Sequence, residues 1–459
     1  MHPLEELISL HPDYHWIVES EILLNYASDY TEDFVFPPQA VLIPNTAEEI
    51  AAVMRFCNEY GISVTTRGAG TGLSGAALPV QGGLVISTEK LNRILEIDTQ
   101  NHTATIEPGV INAVLKDSVA EYGLYYPPDP ASLGSSTLGG NVAHCAGGPK
   151  AVKYGITRDY IMNLEVVLAN GEIIWTGANT LKNSTGFSLT HLLIGSEGLL
   201  GVITKIVVKL VPLPTQELLM LAAFEDIYQC AEAVNQVMLS SVKPAAIEFM
   251  ETSGVEISSS ATQTNFPFIS NAQAYLLFAF DGFEDENLFE YAEKIYPILE
   301  AAGALEIMPA PNSDIAAQWW KVRRSIGETV KQHSVYKEED TVVPRFALPK
   351  LLEAVKQIGT KYGFQSVCYG HAGDGNLHVN ILKNNLSDVY WTNEIPKAIR
   401  EIFKVCKSLG GTISGEHGIG YSQKDYLDEV FGSEHRRIMQ GIKNVFDPKG
   451  ILNPGKWLD

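Results

Sequence analysis

The sequence predicts an α+β protein of two to three domains, and three features of its 459 residues carry that prediction. Up to about residue 215, short apolar runs are separated by glycine-rich turns, the texture of small sheets. Near residue 215 that texture ends at Pro212 and Pro214, and a longer helical rhythm begins at Glu225. From there to about residue 410, strand-like and helix-like segments alternate, as in an α/β sheet covered on one face by helices.

In chain order, VLIPNTAEEIAAVMRFCNEYG reads as a strand and a helix, because Thr46 and Glu49 make a capping box and Gly61 follows as a stop. ISVTTR is the next strand. GLVIST, LNRILEID and HTATIEPG follow as strands, and LEVVLANGEII carries the Asn-Gly signal of a hairpin. Between Gly61 and Gly201 fall 21 of the 39 glycines, so backbone approaches something closely in this zone. Beyond the boundary, PAAIEFM, QAYLLFAFDG and CYGHAGDGNLHVNIL are strands, while ENLFEYAEKIYPILEAAG and NEIPKAIREIFKVCKSLGG are helices. The tail closes with the helix HRRIMQGIKNVF and the turn DPKGILNPGKW.

Composition narrows the function. Apolar residues at 45% and charged residues at 19% exclude disorder, a coiled coil and a collagen-like chain. A net charge of -21 opposes nucleic acid and anionic membranes. Cys57, Cys145, Cys230, Cys368 and Cys406 form no Cys-x-x-Cys and no disulfide framework, which points to a reducing cytosol and no iron–sulfur cluster. MHPLEELISLHPDYHW lacks the basic start and apolar core of a secretory signal. No apolar run approaches the ~18–20 residues of a membrane span.

Gly70-Thr71-Gly72-Leu73-Ser74-Gly75 matches the dinucleotide fingerprint G-x-G-x-x-G after a strand, but AALPVQGGLVIST follows instead of a helix. A nicotinamide site is therefore not expected, although a loop of small residues can cradle a pyrophosphate through its N–H groups or serve only as a turn. LGSSTLGGNVAHCAGGPKAVKYG and IGSEGLLGVIT are two more such loops. Gly450 to Lys456 resembles the start of a P-loop, yet Trp457 occupies the Ser/Thr position and no helix can follow.

Taken in order, RGAGTGLSGAALP, GSSTLGGNVAHCAGG, GSEGLLGVIT, GHAGDGNLHVN, SGEHGIG and NPGK make the chain resemble the FAD-linked dehydrogenases of the vanillyl-alcohol-oxidase fold. Within them it is similar to the D-2-hydroxy-acid dehydrogenase group, which includes D-lactate dehydrogenases, the glycolate oxidase catalytic subunit and D-2-hydroxyglutarate dehydrogenase. The resemblance implies an FAD-binding domain over residues 1–215, a cap with an antiparallel sheet over 216–410, and a segment 411–459 that returns to the FAD domain. It implies that Arg67, Gly68, Ala69, Gly70, Thr71, Gly72, Ser74 and Gly75 surround the pyrophosphate. Pro128, Thr137, Gly139, Gly140, Asn141, Ala146, Gly147 and Gly148 would line the other side, with Glu197, Gly198, Ile203 and Asn453 completing the cofactor site. Ala69 stands where covalent relatives carry histidine, so the FAD is expected to be non-covalent. Cys145 stands where many relatives have asparagine.

His371 and His378 flank the turn Gly-Asp-Gly-Asn, and Glu416 lies in SGEHGIG. Two histidines and a carboxylate are a recognised divalent-metal set, although histidines after glycine are also plain turn residues. The resemblance implies that these three bind zinc, that His417 is the catalytic base, and that Arg323 holds the substrate carboxylate, with Arg324 as a rival. It also implies substrate contacts from Asn380 and Lys337. The threonine that accompanies that lysine in D-2-hydroxyglutarate dehydrogenases is Gly327 here. The expected reaction is oxidation of a small D-2-hydroxy acid, D-lactate or glycolate, with hydride passing to flavin N5 and the proton to imidazole. The partners would be that substrate and a quinone, a cytochrome or an electron-transfer flavoprotein as acceptor, and a homodimer is allowed. Competing readings are a D-2-hydroxyglutarate dehydrogenase, a flavin-holding non-catalytic subunit, and a zinc hydrolase, which leaves the glycine loops unexplained.

Overall fold

The computed structural model describes residues 3–31, 34–284 and 287–458. Met1 and His2 of the opening segment, and Glu286 at the start of one expected helix, lie outside them. The chain divides into two compact units, the first comprising Met1–Gly147, Ile156–Leu213 and Glu416–Asp459, the second Gly148–Gly155 and Pro214–Gly415.

The first unit holds two small sheets. In one, the strands Ala40–Leu42, Leu84–Ser87 and Val64–Arg67 run parallel, and Trp16–Ile17 adds an antiparallel edge. The helix Ala47–Tyr60 joins the first of these to Val64–Arg67. Thr46 accepts the Glu49 N–H at 3.2 Å, and Gly61 closes the helix at φ 67°. The Glu49 carboxylate takes the Asn45 N–H rather than that of Thr46, a one-residue displacement of the expected box. The other sheet is antiparallel throughout, in the order Ile94–Asp98, Thr103–Ile106, Val202–Lys209, Ile161–Val167, Ile173–Trp175. Leu452 of the tail pairs beside Val64, so the last residues extend the parallel sheet.

The second unit is one seven-stranded antiparallel sheet, ordered Ala304–Pro309, Gln216–Phe224, Ala274–Gly282, Ala246–Glu251, Gln365–His371, Asn376–Leu382, Tyr336–Val342. Helices cover both faces, not the single face expected. Trp319, Val322 and Ile326 of the helix Ser313–His333 pack on Leu221, Met250, Tyr275 and Leu277. The helices Ile227–Leu239, Leu288–Ala301, Leu348–Tyr362 and Ile395–Ser408 also pack against this sheet. Strands buried on both sides lose the in–out alternation, and Ala274–Gly282 is buried at every position.

Two stretches fall on the other side of the expected boundaries. Gly148–Gly155 joins the second unit because Lys150, Lys153 and the Tyr154 hydroxyl all hold the buried Asp281 carboxylate, at 3.2, 2.5 and 2.9 Å. Residues 411–415 stay with the sheet because Thr412 pairs with Val342 and the Gly415 N–H donates to Asp340 Oδ2 at 2.8 Å.

Candidate active site

In the first unit the glycine loops form an open cleft lined by Gly68, Gly139, Gly140, Glu197, Gly198 and Ile203 among the expected residues. Their lack of side chains is what opens it. A Cβ on Gly68 would stand 2.3 Å from Thr137 Oγ1, and one on Gly139 2.6 Å from Pro108 Cβ. The second glycine loop is not a loop throughout. Thr137 caps a short helix, Leu138–His144, so Gly139, Gly140 and Asn141 are helical. Cys145 ends that helix at φ 56°, a left-handed position that asparagine tolerates better than most side chains.

Arg67 ends its strand buried, and burial pulls its guanidinium below the usual arginine range while Asp29 opposes that pull. Its Nη1 and the Asn141 Nδ2 are buried donors with no hydrogen-bond partner among the described residues. Orphaned donors beside a cradle of glycines suit an anionic cofactor. Ala69, Thr71, Gly72, Ser74 and Gly75 follow in the same loop, with Gly70 and Gly75 at positive φ. Pro128, Ala146 and Gly147 do not line this cleft, and Gly148 belongs to the second unit.

Two expected cofactor residues are also engaged within the protein. The Glu197 carboxylate accepts from the N–H groups of Ile419 and Gly420 at 2.8 and 2.7 Å and from Trp457 Nε1 at 3.2 Å, so it organises the 416–420 loop. Asn453 donates to Ala76 O and Glu197 O and accepts from Lys456, which leaves its amide fully engaged within the protein. Sequence reasoning missed His144, which lines the cleft with its ring near Gly140 O and Ser74 Oγ. A histidine closing the glycine-rich run was its one signal. Within this unit Glu416 lies beside the glycine loops, since a Cβ on Gly147 would meet Glu416 Oε2 at 2.8 Å. His417 is its neighbour, Nε2 lying 4.0 Å from Glu416 Oε1.

In the second unit the strands Gln365–His371 and Asn376–Leu382 form the hairpin that brings His371 and His378 edge to face, ring centroids 5.4 Å apart. His371 Nδ1 meets both oxygens of Glu248 at 2.9 and 3.1 Å, which turns Nε2 away from that carboxylate. Glu248 also takes Arg323 Nη2 at 2.5 Å. Burial by itself raises the Glu248 carboxyl, but Arg323 and His371 overcome it and hold the group below the usual range. Glu248 went unnoticed in the sequence, although an acid inside the apolar run PAAIEFM is a signal of a buried charge. Arg323 keeps a buried Nε with no hydrogen-bond partner among the described residues, whereas Arg324 stacks on Trp320. Asn380 is fully buried on the same sheet face as His378.

Lys337 is corrected. Side chains alternate along a strand, and Lys337 pairs with Ile381 while Glu338 pairs with Asn380. Lys337 therefore points to the opposite face from His378 and Asn380, over the Trp391 ring at 6.0 Å.

A glycine-walled cleft beside a titratable loop, in a chain with a second antiparallel unit, is the arrangement of a flavin-dependent oxidoreductase. Residues 38–177 match the FAD binding domain and residues 213–457 match the C-terminal domain of FAD linked oxidases. The chain belongs to the FAD-linked oxidase family and is an FAD-dependent oxidoreductase. It is 38% identical to a glycolate oxidase subunit, GlcD, of Bacillus subtilis (strain 168), over 94% of this chain and 92% of that protein. It is 38% identical to a D-lactate dehydrogenase of Anaerostipes hadrus, over 91% and 89%. A D-2-hydroxyglutarate dehydrogenase of Stutzerimonas stutzeri is 31% identical over 99% and 98%. The crystal structure of p-cresol methylhydroxylase has the same fold, with a TM-score of 0.83 at 20% identity over 99% of this chain and 96% of that one. No helix among the described residues is long and apolar enough to cross a membrane.

Proposed function

We propose that this protein oxidises a small D-2-hydroxy acid, D-lactate or glycolate, to the 2-oxo acid, with non-covalent FAD and a divalent metal, zinc by its ligand set. One observation carries the reading: Glu197 ties the backbone of the loop bearing Glu416 and His417 to the wall of the glycine cleft. That link supports a proton-transfer role for the loop next to the cofactor cleft. Ala69, where covalent relatives carry histidine, supports release of the flavin on denaturation.

His371, His378 and Glu416 would hold the metal. Support comes from the His371 tautomer set by Glu248, and from Gly415, the residue before Glu416, being bonded to Asp340, the strand partner of His378. When bound, FAD accepts the hydride and the metal lowers the pKa of the substrate hydroxyl. His417 takes the hydroxyl proton at Nε2 or Nδ1. Arg323, paired with Glu248, would meet the substrate carboxylate, and Asn380 would supply a further amide contact. Five free, buried cysteines support a reducing cytosolic location. The acceptor is a quinone, a cytochrome or an electron-transfer flavoprotein.

Anaerobic addition of D-lactate or glycolate should bleach the visible flavin absorbance, and L-lactate should not. Chelation should stop bleaching while the protein stays yellow, and acid precipitation should leave flavin in the supernatant. Bleaching by none of the hydroxy acids would remove the reading.

A further inference from the structure

Arg323, which the proposed function assigns to the substrate carboxylate, lies against a buried aromatic ring. Tyr369 stands directly opposite His378 on the neighbouring strand, so both side chains rise from one face of the sheet. The Arg323 guanidinium lies over the Tyr369 ring, 5.0 Å from its centroid, and the His378 ring centroid is 5.1 Å from the same ring. The far end of the tyrosine is held as well. Its hydroxyl donates to Glu338 Oε1 at 3.0 Å, and Glu338 in turn stands 3.8 Å from His378 Nδ1. Burial and the Glu338 charge push the phenol well above its ordinary range, so it stays neutral and keeps its proton for that bond. The helix Ser313–His333 meets the tyrosine with two residues, Arg323 and Gly327, four apart and therefore on one helix face. A Cβ on Gly327 would stand 2.6 Å from the Tyr369 hydroxyl, so glycine leaves the room that the phenol end occupies. Glu248 holds one end of the guanidinium through Nη2, a contact about which the flat group can still turn. An aromatic face restricts that rotation, because guanidinium stacks on rings.

We propose that Tyr369 is a positioning residue whose ring sets the Arg323 guanidinium for the carboxylate of the 2-hydroxy acid. The inference rests on the function proposed above, in which Arg323 meets that carboxylate. The substrate feels the tyrosine only through the arginine. Loss of the ring therefore weakens binding in the ground state and the transition state alike, and shows in KM rather than in kcat.

The test is steady-state kinetics of the FAD-loaded, metal-loaded enzyme with D-lactate and glycolate. Tyr369→Leu should raise KM about tenfold and lower kcat less than about threefold, with FAD and metal content unchanged. Tyr369→Phe keeps the ring and should hold KM within about threefold of wild type. Gly327→Ala pushes on the hydroxyl and should raise KM, and adding Tyr369→Phe, which removes that oxygen, should restore it. This pair carries the test alone should Tyr369→Leu fail to fold. In Arg323→Lys, where the flat cation is gone, Tyr369→Leu should add little to KM. A KM unmoved in Tyr369→Leu and in Gly327→Ala overturns the proposal, as does a loss confined to kcat. Tyr369→Phe as impaired as Tyr369→Leu would also overturn it, assigning the effect to the hydroxyl, and so would the full increment persisting in Arg323→Lys. In these cases D-lactate or glycolate still bleaches the wild-type flavin, whereas failure of both to do so removes the underlying function instead.

Discussion

The first unit makes its cleft from backbone, and the second makes its polar centre from buried charge. In the first, Gly68 and Gly139 sit where a single carbon would strike Thr137 or Pro108, and buried donors of Arg67 and Asn141 have no hydrogen-bond partner among the described residues. In the second, Glu248, Arg323 and His371 form one buried network inside an apolar sheet sandwich. The contrast fits the proposed function, in which an extended anion would be met by many N–H groups at close approach and a small hydroxy acid by few groups of fixed charge. The first unit should therefore be sensitive to added volume, the second to lost charge.

The largest effect on stability is expected from Glu248→Ala, which leaves Arg323 buried without its carboxylate. Breaking a buried pair this way typically costs about 3–5 kcal/mol, read as a lower urea midpoint. Glu248→Gln should recover part of it. A loss under about 1 kcal/mol would mean that the network does not hold the sheet, and the contrast between units would fail. His417→Ala should lower kcat by about 10²- to 10⁴-fold while FAD and metal content persist. His417→Asn restoring much of the rate would assign the residue to loop structure rather than proton transfer.

Neighbouring glycines sharpen the comparison within the first unit. Gly139→Ala drives a Cβ into Pro108 and should cost about 1–3 kcal/mol in the flavin-free protein. Gly140→Ala meets only Thr137 Oγ1, at 3.3 Å, inside a helix where alanine is the better residue. It should leave the flavin-free melting temperature level or slightly raised and still weaken FAD binding, because Gly140 lines the cleft. Equal melting losses in both would show that the glycines serve the fold alone.

A pH-dependent effect concerns Asp281. Burial alone would raise its carboxyl, but Lys150, Lys153 and the Tyr154 hydroxyl overcome burial and depress it. A depressed carboxyl contributes stability that is full above the unfolded value of about 4 and is lost as pH falls through the lower folded value. Asp281→Asn should cost about 1–2 kcal/mol at neutral pH, and the gap to wild type should narrow below about pH 4. A gap independent of pH would assign the loss to packing.

How much of this was legible in the sequence depended on whether the signal was local. The capping box at Thr46, the stop at Gly61 and the turn between His371 and His378 rest on neighbouring residues, and the structure keeps them with a one-residue adjustment at Glu49, although that turn divides the single expected strand into Gln365–His371 and Asn376–Leu382. Coverage of both sheet faces was written in the uninterrupted run AYLLFAF, which only a strand buried on both sides can carry. The helix Leu138–His144 was hidden because its glycines argue against helix, and Thr137 as its cap was the lone contrary sign. Lys337 and Glu338 could not be assigned to a face from sequence, because a shift of one residue in register exchanges them. That Glu197 and Asn453 hold a loop and a tail could not be read from sequence, because their partners lie far along the chain.

The measurement that bears most directly on the central claim is anaerobic reduction of the bound flavin by D-lactate and glycolate, followed against pH in wild type and His417→Ala. The account predicts bleaching by these acids and not by L-lactate, with the rate falling on the acid side in wild type as the base is protonated. That acid limb should be absent from the residual activity of the variant. Bleaching at the wild-type rate in His417→Ala with the acid limb intact would contradict it.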